Sequence, residues 1–531
     1  MRSLYYPLRM ISEWWGALLV VVAGIAIQIF LVTREFLFLL ENLLPDDAYF
    51  YFNIARNIVQ GFGITSDGMH VTNGFHPLWM LVVSLITKAS GALTPGDTTA
   101  IYWALYLAVA MNLISTIFVW RILTRFTQDK WAHALGLSVW MLNPYFLYET
   151  MNGLETSLAL LLLSIFVLLV LRIEEGRPID LPVRTGGYFL AGLVAAFVIL
   201  ARLDMALYVA AFILWTFFRR ANWKDFLEKM IYFGVGLTPF LIWWVWNVIT
   251  FKMLLTSSAN TEMLIYHQLI VQDHGDSWFQ FYKAIVYHSQ LALDTIFQRS
   301  GMYALAAGAI GAFATLVLFR EIRLPKRLSE INAITALFLG FVAIYIGNAT
   351  IRWTWRHWYF VAFGLFLSVI IVVVLDRLLP RIKYKKTVAA FLLALMLFSF
   401  FVNWSKRLQP SKNDGRNQRE NVQTALWMNA NLPPDARVGT FMPGSQGLFS
   451  NIPVIDLDGW INNSAAEALK ERRLWQYILD EKIEYVWDYG YGLRYRYKSF
   501  LGIDDPFARM ELIHDLTNNP DGYRLYKIKS P

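Results

Sequence analysis

Cysteine is absent from this chain, and charge is scarce. With no Cys among 531 residues, disulfides, thiolate zinc sites and cysteine nucleophiles are all excluded. Only 16% of residues are charged, against 56% hydrophobic and 16% aromatic, a balance that a soluble globular chain has no use for. No phosphate-binding Gly-Lys loop is present, and Gly61-Phe62-Gly63 is a lone GxG with no strand before it. No nucleotide cofactor is therefore expected. The net charge of +8 does not indicate nucleic acid, because the basic residues sit in short loops between apolar runs. No small-residue cleavage site follows Arg2 and Arg9, so the apolar stretch after Trp15 reads as a retained anchor.

What the chain does have is a series of runs of about 20 apolar residues, the length that crosses a bilayer as a helix. Candidate spans lie near 14–33, 100–121, 131–148, 153–172, 187–203, 204–218, 231–250, 301–319, 331–350, 357–375 and 387–404. Basic loops beginning near Arg121, Arg172, Arg219, Arg320 and Arg377 then fall on one side with the N-terminus, as the positive-inside bias requires. A further crossing at 77–90 would break this parity, so 46–90 reads as one outer loop carrying two surface helices. A second large outer loop covers 251–300. Eleven crossings put residues 405–531 outside, where apolar strands at 437–441, 452–457 and 483–487 alternate with helical stretches. The expected architecture is an α-helical polytopic membrane protein of about eleven transmembrane helices (1–404) with a small C-terminal α/β extracytoplasmic domain (405–531). The expected location is the plasma (inner) membrane, with the lipid bilayer as partner.

Charge near lipid is costly, so the adjacent carboxylates Asp46 and Asp47 after the first span mark a functional site. The helix that follows has Asn53, Arg56, Asn57 and Gln60 on one stripe and Gly61 where a C-terminal cap belongs. Capping by Asp46 explains one carboxylate and leaves the second without a role. The topology gathers other unusual polar residues on the same outer side. They are His76 and Asn73 in the first loop, Glu155 after the third span, Arg202 and Asp204 at a later turn, and Arg352, Arg356 and His357. Two basic residues outside run against the topological bias and demand another explanation. Arg202 and Asp204 also fit an ion pair between helices, and Asp456 and Asp458 fit a turn. Together the outer groups suit glycosyl transfer from a lipid-linked donor. A carboxylate acts as general base on an acceptor hydroxyl, and Arg or a divalent cation neutralises the departing phosphate.

The segments PDDAYFYFNIARNIVQGFG (45–63) and TNGFHPLW (72–79) resemble the GT-C membrane glycosyltransferases. These use polyprenyl-phosphate sugars and include protein O-mannosyltransferases, aminoarabinose transferases and arabinofuranosyltransferases. The resemblance extends through MNGLETSL (151–158) and ARLD (201–204), and returns at RVGTFMPGSQGLFSNIPVIDLDGW (437–460). It implies a hexosyl- or pentosyltransferase of the cell envelope that moves one sugar, with inversion, to a glycan, glycolipid or protein acceptor. It makes Asp46 the general base, Asp47 its acidic neighbour and Glu155 a second essential acid. RWTWRHWY (352–359) resembles the outer segment that holds the donor phosphate, which implies roles for Arg352, Arg356, His357 and Tyr359, with Arg202 beside them. Asn73, His76 and Asp204 are candidates for an acceptor or metal site. His76 and Asp47 would be the metal ligands, although a His and two carboxylates serve hydrogen bonding as readily as a cation. Two rival readings remain. Oligosaccharyltransferase-like block transfer would expect a larger outer domain with a Trp-Trp-Asp run, which is absent. A transporter or flippase of lipid-linked sugars would expect paired broken helices and midplane charge.

Overall fold

The structure, a computed structural model, describes residues 2–176, 186–275, short runs between 277 and 316, 327–350, 356–407, 418–516 and 522–529. Its membrane part opens with α1 (Arg2–Val32), α2 (Phe36–Asn42), α3 (Asp46–Gln60) and α4 (Pro77–Ser90). Next come α5 (Thr99–Leu123), α6 (Lys130–Leu142), α7 (Pro144–Thr150), α8 (Thr156–Glu174), α9 (Gly186–Ala201) and α10 (Ala206–Phe218). Helices α11 (Trp223–Gly236), α12 (Thr238–Phe251) and α13 (Ser257–His274) precede α14 (Ala333–Thr350), α15 (Phe363–Leu378) and α16 (Lys385–Arg407).

Among the described residues six helices are long and apolar enough to cross a membrane, or seven with α11 and α12 taken as one bent span. The bend between those two is 64°, and Pro239 in the first turn of α12 removes a backbone donor there. The predicted span at 131–148 is likewise two helices. Asn143 ends α6 and caps α7, accepting the Tyr145 and Phe146 amides, and Pro144 follows at the first helical position. Helices α4, α9 and α10 are apolar but shorter. The predicted span at 301–319 lies mostly outside the described residues.

The connecting loops sort into two faces. Arg125 pairs with Glu175, Arg219 with Glu174 at 2.8 Å, and Lys385 with Asp129 at 3.4 Å, joining the predicted inner loops to one another. The loops around 46–76, 149–155, 202–204, 257–262, 356–360 and 443–460 meet at the other end.

The last part of the chain builds a five-stranded sheet. Its elements are α17 (Arg419–Asn431), β1 (Val438–Thr440), α18 (Pro443–Phe449), β2 (Val454–Asp456), α19 (Asn463–Lys470), α20 (Leu474–Asp480), β3 (Tyr485–Asp488), β4 (Met510–Asp515) and β5 (Arg524–Ile528). The strand order is β2-β1-β3-β5-β4, with β1 parallel to β2 and β3, and β5 antiparallel to β3 and β4. The predicted helix at 464–480 is broken by Arg472, which takes a positive φ of 56°. The β4–β5 pair was not anticipated.

This domain sits on the first outer loop. Helix α3 ends at Gly61 (φ 89°), as its sequence implies. Its polar stripe, however, is a docking face. Asn53 donates to the Gly444 carbonyl at 2.9 Å, and the Arg56 guanidinium donates to the carbonyls of Gly447 (3.0 Å) and Leu448 (3.2 Å). Two glycines permit the approach. A Cβ on Gly444 would lie 2.2 Å from the Asp46 carbonyl oxygen, and one on Gly74 would lie 1.7 Å from that of Trp460. Residues in contact share a side of the membrane, so the first loop and the C-terminal domain do.

Candidate active site

A cavity of about 60 Å³ opens where these loops meet. It is lined by Asp47, Phe50, Tyr51, Gly74, Phe75, His76, Leu154, Glu155, Ser258, Glu262, Trp358, Tyr359 and Trp460. The first loop (47–51 and 74–76) and four stretches far from it in sequence (154–155, 258–262, 358–359 and 460) thus share the lining.

The two aspartates, successive residues about 100° apart around the first turn of α3, face different ways. Asp46 turns to the C-terminal domain. Its carboxylate accepts the Gly444 amide at 3.0 Å, the Ser445 amide at 2.9 Å and the Ser445 hydroxyl at 3.2 Å. It caps α18 rather than its own helix, and it does not line the cavity. Burial pushes its carboxyl up to about 6, against the hydrogen bonds that favour the ionised form. Asp47 does line the cavity, and its Oδ1 lies 3.4 Å from an Arg356 guanidinium nitrogen. Burial raises the Asp47 carboxyl and Arg356 opposes the rise. Arg356 also lies over the Trp460 ring, 4.5 Å from its centre. The expected order of the pair, base first and neighbour second, is thus not the order in which they meet the cavity.

The second cluster is built round Glu155. Tyr51 donates its hydroxyl to Glu155 at 3.1 Å, His76 Nε2 stands 3.6 Å from Glu155, and Arg202 stands 3.9 Å from it. His76 Nδ1 accepts the Leu203 amide at 3.3 Å, so this ring carries its proton on Nε2, toward the carboxylate. Burial lowers the affinity of His76 for a second proton. Arg202 holds Asp204 by two hydrogen bonds, 3.1 and 2.8 Å, and covers the Tyr359 ring at 4.1 Å. The ion pair expected at 202–204 is therefore present, and its cation also reaches Glu155.

Other expected residues serve the framework. Asn73 bonds Asn247 at 2.8 Å and accepts the Ser257 amide at 2.9 Å, tying the first loop to α12 and α13. His357 is buried beside α7, and its carbonyl accepts the Tyr145 hydroxyl. Arg352 lies outside the described residues. Asp456 and Asp458 shape the turn before Trp460, accepting the amides of Asp458, Trp460 and Ile461 at 2.8–3.0 Å. Among the described residues no group of three or more His, Asp or Glu could hold a metal ion. His76 and Asp47 share the cavity, but the histidine nitrogens are engaged by Leu203 and Glu155, so no step is derived through a metal.

Three residues escaped the sequence reading. Glu262 on α13 and Trp460 after β2 line the cavity, and Arg496 stands near both. Trp460 closes the 437–460 segment that carries the resemblance but was given no role, and Glu262 and Arg496 showed only an acid and a base in segments read as loop or domain.

With this geometry in place, the chain can be set beside proteins of known structure. It is similar in fold to the oligosaccharyltransferase of Archaeoglobus fulgidus in the apo form, with a TM-score of 0.58 and 12% identity over 92% of this chain and 71% of that one. ArnT from Cupriavidus metallidurans bound to undecaprenyl phosphate gives 0.56 and 13%, over 95% and 97%. The A. fulgidus oligosaccharyltransferase AglB, in complex with an inhibitory peptide and a dolichol-phosphate, gives 0.52 and 12%, over 94% and 72%. The chain thus shares the fold of these proteins, and its own apolar helices give it a multi-pass membrane architecture. Residues 409–526 match a family described as a domain of unknown function, DUF8728. No curated protein sequence matches the chain significantly.

Proposed function

We propose that this protein transfers a sugar from a polyprenyl-phosphate donor to an acceptor hydroxyl at the non-cytoplasmic face of the membrane. The observation that carries the reading is the Asp47–Arg356 pair, 3.4 Å apart, with Asp47 lining the cavity and Arg356 lying over its Trp460 wall, at the end of a GT-C fold. As the donor phosphate enters, its charge draws Arg356, which leaves Asp47 as a buried carboxylate with raised proton affinity. Asp47 takes the proton of the acceptor hydroxyl, and the acceptor oxygen attacks the anomeric carbon from the face opposite the phosphate. The bond from that carbon to the phosphate oxygen breaks, and its electron pair leaves with the phosphate. A single displacement of this kind inverts the anomeric centre. Arg356 balances the departing charge, and a phosphate needs no general acid. Glu155, held by Tyr51, His76 and Arg202, fixes the opposite wall.

The relatives in fold bind undecaprenyl phosphate in one case and dolichol-phosphate in another, which supports a lipid-phosphate donor. A second reading, transfer of an oligosaccharide block, is favoured by the comparable likeness to an oligosaccharyltransferase. Flipping of lipid-linked sugars is disfavoured by the gathering of the charged groups at one end of the bundle. The test is incubation of the purified protein with polyprenyl-phosphate monosaccharides and polyprenyl-pyrophosphate oligosaccharides, scored for transfer and for hydrolysis. We expect turnover with a monosaccharide donor. Arg356→Ala should weaken donor binding by roughly 2–5 kcal/mol, and Arg356→Lys should recover only part, because a point charge does not replace a planar fork. Turnover of the oligosaccharide donors alone would select block transfer, and no turnover of either would overturn the proposal.

A further inference from the structure

On the wall formed by α13, the cavity contains a carboxyl group to which no described residue hydrogen-bonds. Glu262 is 1% exposed, and neither of its oxygens has a hydrogen-bond partner among the described residues. The indole N–H of Trp460, next to it on the cavity lining, is also buried and unpartnered. Leaving such groups unpaired is costly, and a folded protein keeps them unpaired mainly where a ligand completes them. Both are held rigidly. The Ser257 hydroxyl donates to the Trp460 carbonyl at 2.9 Å and the Thr261 hydroxyl to that of Gly459 at 3.1 Å, which fixes the first turns of α13 to the turn carrying Trp460. Further along α13, Ile265, Tyr266 and Leu269 join the hydrophobic core of the C-terminal domain, so Glu262 is presented from the water side. The donor lipid reaches the cavity from the bilayer side.

Resting on the transferase reading above, we propose that Glu262 and the Trp460 indole N–H form the acceptor subsite, and that the acceptor is a sugar. Two carboxylate oxygens accept from two adjacent ring hydroxyls at once, and the indole N–H donates to a third oxygen. A lone serine or threonine hydroxyl of a peptide satisfies only one of those oxygens. The charged groups that face Glu262 are Arg356, Arg496 and Asp47. Burial dominates them and pushes the Glu262 carboxyl up to about 7. Hydroxyl donors favour its ionised form, so acceptor affinity rises as pH climbs through that value.

The test titrates purified protein with methyl glycosides (mannoside, glucoside, arabinofuranoside, galactofuranoside) and with serine- and threonine-containing peptides, by calorimetry and tryptophan fluorescence between pH 5.5 and 8.5. At least one glycoside should bind more tightly toward high pH, and Glu262→Gln should weaken it roughly tenfold or more, the usual worth of a hydrogen bond to a charged group. The same variant should lose the pH dependence, and Trp460→Phe should weaken binding while keeping it. Undecaprenyl phosphate alone should bind Glu262→Gln as it binds wild type. Thermal stability separates a ligand role from a structural one. A carboxyl raised from 4.5 to about 7 in the folded protein contributes stability below pH 4.5 and loses it as pH rises through 7. Glu262→Gln should therefore melt at or above wild type, with a margin that widens over that window. The inference is overturned if the variant binds glycosides like wild type, if peptides bind and glycosides do not, or if it melts well below wild type. If wild type binds glycosides but not undecaprenyl phosphate, the donor reading fails and this one stands.

Discussion

Asp46 and Asp47 are neighbours in sequence with different work to do. The adjacent pair was readable as a site because two carboxylates beside lipid need a reason. Which of them meets substrate was not readable. That depends on the Gly444 and Ser445 amides, 398 and 399 residues further along, which claim one carboxylate and leave the other to the cavity. Glu262 was illegible for a related reason, since an acid in a polar loop helix looks ordinary until both its oxygens are found buried and unbonded. The assignment is tested by the two amides. Asp47→Asn should fold and bind donor while its turnover falls by roughly 10² to 10⁴, the usual worth of a positioned base. Asp46→Asn turns an amide toward the Gly444 N–H, so it should cost about 1–3 kcal/mol of stability and act on turnover only through that loss. Turnover and melting temperature, measured side by side, decide the matter. A stable Asp46→Asn protein without turnover, beside an active Asp47→Asn, would restore the order that the family resemblance implies.

At the scale of elements, helix α3 is a clamp. It brings a carboxylate to the start of α18 through Asp46 and a guanidinium to its last carbonyls through Arg56, each charge matching the helix end it meets. The helix itself was legible from its periodic polar residues and from Gly61. Its partner was not, because the same stripe would suit water as well as a docking domain. The β4–β5 pair was missed because β4 exposes Glu511, Leu512 and Ile513 in a row beside a bulge between Leu512 and His514, which breaks the alternation that marks a strand. The clamp makes a measurable demand. Arg56→Ala removes the side-chain donor of the Gly447 carbonyl and leaves the Leu448 carbonyl to the Gly96 amide alone, and Gly444→Ala drives a methyl into the Asp46 backbone. Both should make the sheet domain more susceptible to limited proteolysis, Gly444→Ala the more so because backbone cannot move aside as a side chain can. Proteolysis rates equal to wild type in both variants would show that the domain is held elsewhere.

For the whole molecule, the separation of loops into two faces is the feature that composition made most legible. Arg and Lys bias alone put the loops beginning near Arg121, Arg172, Arg219, Arg320 and Arg377 together, and the ion pairs of Arg125, Arg219 and Lys385 join four of them, the Arg320 loop lying mostly outside the described residues. Helix lengths were less legible, since breaks such as those at Asn143 and Leu237 leave the apolar run intact while splitting the helix. Placement of the active face outside is checked by cysteine substitution, for which the Cys-free chain gives a clean background. Met69→Cys and Gln476→Cys, both exposed, should label with an impermeant thiol reagent in intact spheroplasts, and Lys386→Cys only after permeabilisation. Labelling of Lys386→Cys in intact spheroplasts would invert the molecule.

The contact between Gly74 and the backbone of Trp460 bears on how the protein is made. During synthesis the first loop is made long before the turn that closes its cavity. Until then Asp47 has no Trp460 wall and Asp46 has no amides to cap. On the transferase reading the acids therefore wait in an unfinished pocket, and the site is assembled only when the sheet domain is seated on the first loop.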